Sequence, residues 1–224
     1  RCARAATSIV RAVYETPFEV ELKGPNDPVT RADREANALI CDELARAFPG
    51  DSIVAEESAP EDAAEIARAV AAPRVWVVDP LDGTREFTER IGEFAVMIGL
   101  AVAGRAALGV VALPTTGEIL VGRVGGEAFV IAADGARRAL AVSSVADPAA
   151  ATLMVSRSHR PAIVAPVTEA LHVTRLVPCG SVGVKVARVA TGAADLYVHG
   201  SKGAKRWDTC APEVIMREAG CTVT

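Results

Sequence analysis

Apolar positions recur along this chain at two spacings, and the change from one to the other divides it. Over residues 31 to 48 (RADREANALICDELARAF), Ala36, Leu39, Ile40, Leu44, Ala47 and Phe48 fall near helical spacing, with charge on the opposite face. Pro49-Gly50 stops that helix. A short strand is expected over 51–55, a weaker helix over 61–72 and a buried strand over 74–78 (RVWVV). The start, Arg1 to Val13, is Ala-rich with Arg at 1, 4 and 11. It reads as a first helix rather than a targeting signal, because no apolar h-region or cleavage pattern follows.

From Glu93 to Ile131 the texture changes. Apolar runs (FAVMIGLAV, AALGVVAL, EILVGRV, EAFVIAA) are broken by Gly104, Pro114, Gly117 and Gly125-Gly126, which predicts a meander of antiparallel strands. Residues 134–150 form a polar, Ala-rich bridge, the expected boundary between an N-terminal lobe (1–133) and a C-terminal lobe (134–224). Beyond it strands (152–156, 173–177, 194–198) alternate with helices (161–171, 181–191, 209–219), the pattern of an α/β lobe. Helices and sheets in alternating layers are expected, with the site in a cleft between lobes. The last residues read as a helix, a glycine turn at Gly220 and a strand beginning, as expected of a chain that continues.

Composition narrows the function. Half of the 224 residues are apolar, enough for a sizeable core, and the net charge of −4 offers no broad basic surface for a nucleic-acid polymer. Small phosphates held by local cations stay open. No run of about 18 apolar residues exists to span a membrane. The five cysteines (2, 41, 179, 210, 221) lack CxxC spacing and read as reduced, packed thiols of a cytoplasmic protein.

Four segments carry chemistry. In VVDPLDGT (77–84) a buried strand runs into Asp79 and Asp82, then a Gly-Thr that can open a helix. Carboxylates at a stiffened strand end, with the Leu81 carbonyl, can converge on a hard cation such as Mg²⁺. The amides of Gly83 and Thr84 offer donors and a helix dipole to a phosphate. A plain turn with Asp79 as a cap is the bland alternative. In VAEES (54–58), Glu56 and Glu57 close another strand, where neighbours face opposite ways and at most one enters a site. Taken alone, this segment is better explained as a solvated acidic loop. In KRWDTCAPE (205–213), Asp208 fits an N-cap with Pro212 in the first turns. In DPVTRAD (27–33), Thr30 caps the next helix and leaves Asp33 on its first turn, to compensate the dipole or to polarise a water with Thr84.

Together, in this order from Asp27 to Gly220, these segments resemble the lithium-sensitive inositol-phosphatase superfamily, which includes fructose-1,6-bisphosphatases and 3′(2′),5′-bisphosphate nucleotidases. The resemblance implies an αβαβα sandwich and a phosphatase using two to three Mg²⁺ ions, inhibited by Li⁺. It assigns Glu56, Asp79 and the Leu81 carbonyl to one metal. Asp79, Asp82 and Asp208 go to a second, with Glu56 reaching a weaker third through water. Asp33 and Thr84 match the pair that activates the attacking water, which displaces the leaving group in line without a phosphoenzyme.

Three further strings lean toward the bisphosphate nucleotidases: SRSH (156–159), CGSVGVK (179–185) and KRWDTCAPEVI (205–215). With the Gly83 and Thr84 amides of VVDPLDGT, they make Ser156, His159, Ser181, Lys185 and Asp208 the expected substrate contacts. Lys185 could equally lie on an exposed helix face and His159 in a plain loop; His172 and His199 read as surface residues. Residues 198–206 carry three Lys or Arg and no Asp or Glu, which suits a second phosphate better than a polyol. The expected substrate is 3′-phosphoadenosine 5′-phosphate, cleaved to AMP and phosphate. An inositol or sugar phosphatase, and a non-catalytic phosphonucleotide-binding subunit, are the alternatives.

Overall fold

The computed structural model describes residues 1–158, 162–200 and 204–224. Helix α1 (Cys2–Tyr14) precedes a hairpin of β1 (Glu21–Gly24) and β2 (Asp27–Val29), then α2 (Arg31–Ala47) and β3 (Ser52–Ala55). A 3₁₀ turn (Glu56–Ser58) leads through α3 (Ala63–Val70) to β4 (Arg74–Asp82) and the short α4 (Thr84–Thr88). The meander is β5 (Ala95–Val102), β6 (Arg105–Leu113), β7 (Glu118–Arg123), β8 (Ala128–Ile131) and β9 (Arg137–Ala139). The remainder is β10 (Thr152–Ser156), α5 (Val164–Leu171), β11 (Arg175–Cys179), α6 (Val182–Ala190), β12 (Leu196–Tyr197) and α7 (Arg206–Glu218).

Seven strands, β3 to β9 in chain order, make one sheet. Only β3 and β4 run parallel within it. Both faces are covered, which is why its apolar runs are continuous rather than alternating. On β5, Val96, Ile98 and Leu100 join the core under α1 and α2, while Ala95 and Met97 join the core under α6 and α7. Beyond α6 lies a parallel sheet ordered β11-β10-β12, and Val164 of α5 packs on its Leu153 and Val155. The layers therefore run α, β, α, β, α, as the resemblance implies.

Helix α7 comes unusually close to the large sheet because three glycines pair across it. Gly99 on β5 lies opposite Gly109 on β6, which lies opposite Gly122 on β7. A Cβ on Gly99 would stand 2.6 Å from the Cys210 sulfur, and one on Gly122 2.9 Å from the Ile215 Cα. The stripe sets the height of α7 over the sheet and hence the reach of Asp208.

Several expectations shift in detail. The strand predicted over 74–78 continues to Asp82, pairing Asp79 with Met97 and Asp82 with Ala95 around an irregularity at Pro80-Leu81. Proline has no N–H to give the ladder, so the register slips there. Strand 173–177 is found at Arg175–Cys179, and 194–198 shortens to Leu196–Tyr197. The predicted helix 161–171 is described from Val164. The β1–β2 hairpin, α4 and β9 are too short to carry a periodic signal. All five cysteines are free, with Cys179 and Cys210 buried. Among the described residues no helix is long and apolar enough to cross a membrane.

Candidate active site

The carboxylates predicted from separate segments gather where β3 and β4 end. Asp79 and Asp82 are both buried. Asp79 Oδ1 accepts the Leu81 N–H at 3.0 Å. Asp82 Oδ2 accepts the Gly183 N–H at 2.6 Å and the Ser181 hydroxyl, a link of about a hundred residues across the chain. Gly83 then turns through φ +89°, which a side chain rarely adopts, and α4 begins at Thr84. Phe87 and Phe94, both fully buried and 5.0 Å apart, anchor that helix beside Tyr14. At five residues α4 sums few peptide dipoles, so Gly83 and Thr84 offer N–H donors without the dipole expected from the sequence.

Asp33 sits at the third position of α2, capped as predicted. Its Oδ2 accepts the Thr30 N–H at 2.8 Å and the Thr30 hydroxyl at 2.7 Å, while Thr30 Oγ1 accepts the Ala32 N–H. Its Oδ1 faces Thr84 Oγ1 at 2.9 Å, and that hydroxyl is also 2.9 Å from the Leu81 carbonyl. One hydroxyl proton can serve only one of these acceptors at a time. Burial holds the Asp33 carboxyl above its usual range, against the pull of the threonine hydrogen bonds.

The 3₁₀ turn corrects the expectation for Glu56 and Glu57. With about three residues per turn, neighbours do not oppose each other as in a strand. Both carboxylates accept from Lys23 Nζ, at 3.1 and 2.6 Å. Burial, then the charges of Glu57 and Asp33, push the Glu56 carboxyl to about 7 although Lys23 opposes them. Lys23 left no signal in the sequence because it lies on the hairpin, 33 residues from Glu56.

Asp208 is not the N-cap of α7. The helix begins two residues earlier, and Asp208 Oδ2 reaches back to the Lys205 N–H at 2.7 Å. Burial, and next the Asp82 charge among the influences that raise it, holds its carboxyl near 6. The Asp79 carboxyl is likewise held well above its usual range, by burial and by the like charges of Glu56, Asp82 and Asp208. These four groups are therefore one electrostatic cluster. A cavity of 460 Å³ lined by Val182, Tyr197, His199, Asp208 and Thr209 opens beside it.

The substrate-contact residues expected from Ser156 onward split. Ser181 is fully buried, caps α6 through the Val184 N–H and holds Asp82. Lys185 is buried, not on an exposed face: its ammonium donates to the carbonyls of Cys179 at 3.1 Å and Gly180 at 2.8 Å, 5.2 Å from the Tyr197 ring centroid. Ser156 ends β10. His159 lies outside the described residues.

The sequence matches the inositol monophosphatase family over residues 1–224. The chain belongs to that family. It is 34% identical to the 3′(2′),5′-bisphosphate nucleotidase CysQ of Escherichia coli K12, over 99% of this chain and 86% of that protein. It is 32% identical to the Nus factor SuhB of Salmonella typhimurium LT2, over 100% of this chain and 82% of that protein. An IMPase from Thermotoga maritima superposes with a TM-score of 0.81 at 28% identity, covering 98% of this chain and 80% of that one.

As a member of the inositol monophosphatase family the chain is a phosphatase, and its acidic cluster can be judged against a hard cation. Among the described residues no three Asp, Glu, His or Cys groups stand close enough to form a ready-made cage. The donor chemistry nonetheless fits. Every donor is oxygen, and Asp79 faces the like charges of Glu56, Asp82 and Asp208. A divalent ion would relieve that repulsion.

Proposed function

We propose that this phosphatase is a Mg²⁺-dependent 3′(2′),5′-bisphosphate nucleotidase acting on 3′-phosphoadenosine 5′-phosphate. The observation that carries the chemistry is the buried Asp79 among Glu56, Asp82 and Asp208, beside a Thr84–Asp33 hydroxyl–carboxylate pair. The substrate preference rests on SRSH, the CGSVGVK turn and the basic, acid-free stretch 198–206, together with the similarity to CysQ.

In this reading Glu56, Asp79, the Leu81 carbonyl, Asp82 and Asp208 would hold Mg²⁺. When bound, the metal supplies Lewis-acid charge and makes a water acidic enough to attack. Thr84 donates its hydroxyl proton to Asp33, which leaves the Thr84 oxygen free to accept from the water and orient it. The N–H groups of Gly83 and Thr84 bind phosphate oxygens. Ser181, by holding Asp82 Oδ2, fixes which Asp82 oxygen turns toward the site. Ser156, His159 and Lys185 belong to the second phosphate and nucleoside side. Lys185 acts there through the 179–180 carbonyls it grips.

A second reading, an inositol-phosphate phosphatase, draws on the likeness to the Thermotoga maritima IMPase. Phosphate release from 3′-phosphoadenosine 5′-phosphate and from inositol 1-phosphate, compared in Mg²⁺ with and without Li⁺, separates the two. Faster, Li⁺-inhibited turnover of the nucleotide is expected. Faster turnover of the inositol ester would transfer the assignment.

A further inference from the structure

Two glutamates outside the acidic cluster tie the reaction side of the molecule to the second lobe. Glu93, in the loop before β5, grips the Arg157 guanidinium with both oxygens, at 2.8 and 3.2 Å. The same carboxylate accepts the Gly180 N–H at 3.0 Å. Arg157 in turn donates to the Pro178 carbonyl, and its backbone N–H to that of Cys179. The ends of β10 and β11 are thus joined to each other and to Glu93.

Glu86 acts from α4, two residues after Thr84. It is buried, and its Oε1 accepts the Ser158 hydroxyl at 3.2 Å. Its carboxyl lies so tightly over Gly180 that a Cβ there would overlap it. Gly180 is glycine to admit this glutamate, since its own backbone conformation needs none. With Asp82 holding Ser181 and Gly183, three carboxylates from one 12-residue stretch of the first lobe, 82 to 93, clamp the 179–183 turn.

We propose that Glu86 and Glu93 are specificity-setting positioning residues. They fix the 156–158 and 179–181 strand ends, which receive the part of the substrate that is not transferred, at a set distance from the Gly83 and Thr84 N–H groups that bind the scissile phosphate. Neither touches the reacting atoms. The pair lets the enzyme require a distal group at a particular reach, rather than accept any phosphomonoester. The proposal rests on the phosphatase reading of the site, but not on which ester is cleaved.

The test compares kcat/KM for the better of the two biological esters with kcat/KM for p-nitrophenyl phosphate, which has no distal phosphate or polyol. Glu93→Gln keeps the shape and breaks the charge pair. It should lower that ratio by about 10-fold, through KM for the biological ester, while kcat stays within about 2-fold. Arg157→Gln, a change at a partly exposed residue, should do the same. The double variant should lose less than the two single losses multiplied together, because the two share the Glu93–Arg157 link. Thermal melts verify that each variant folds. An unchanged ratio, or equal loss of kcat on every ester, overturns the proposal while leaving the phosphatase reading intact. A wild-type chain that hydrolyses none of the three esters in Mg²⁺ removes both.

Discussion

The two halves of the site differ in how much of each is held by near neighbours in sequence. On the acidic side, three of the groups proposed to do the chemistry are ordered by neighbours in sequence: Thr30 caps α2 and binds Asp33, the Leu81 N–H holds Asp79, and the Lys205 N–H holds Asp208, while Glu56 and Asp82 take distant partners. On the other side, the turn at 179–183 is held by residues about a hundred positions earlier in the chain, Asp82, Glu86 and Glu93. The local half is cheap to specify and suits a reaction that does not vary. The half held across the chain can be re-aimed by changing a few distant side chains, which suits selection of a substrate.

Changes on the two sides should therefore differ in kind. The largest effect is expected from Thr84→Val, which keeps the side-chain shape and removes the hydroxyl facing Asp33. It should cut kcat by about 100-fold on every ester while KM moves little, measured by phosphate release. Loss confined to one ester would break the contrast. Gly109→Ala should come next, by pushing α7 away from the sheet and destabilising the fold by about 1–3 kcal/mol, read in denaturant melts. Ser181→Ala removes both the α6 cap and the Asp82 bond and should lower stability by about 1 kcal/mol.

The most diagnostic effect depends on pH. Asp208 is raised to about 6 in the folded protein, from 3.8. Between those values the folded state holds more protons than the unfolded, so this group's contribution to stability falls as pH rises and stays lost above pH 6. In chelator, Asp208→Asn should therefore stabilise the protein more at about pH 7.5 than at about pH 4.5. Added Mg²⁺ should erase that gain, because binding to the folded state favours the wild-type carboxylate. Equal stabilisation at both pH values would mean that the carboxyl is not buried among like charges.

The same contrast governs what could be read in advance. The layered fold was legible because each long element carries its own period, and the Thr30–Asp33 cap because it spans three residues. Asp208 was misjudged as a cap because Lys205 and Arg206, where α7 begins, give no apolar signal. Lys185 kept an exposed reading open because its burial depends on Tyr197 and on carbonyls that β11 brings back to it. Glu86, Glu93 and Lys23 were missed altogether: their partners lie 33 to 87 residues away. Gly180, next to a small-residue run, was the one visible hint that something presses close.

The most direct measurement is Mg²⁺-dependent phosphate release by the wild-type chain and by Asp79→Asn, both folded by thermal melt. The cluster centred on Asp79 predicts that activity requires Mg²⁺ and that the variant loses at least about 100-fold in kcat at saturating substrate. A variant as active as the wild type, at any Mg²⁺ concentration, would contradict it.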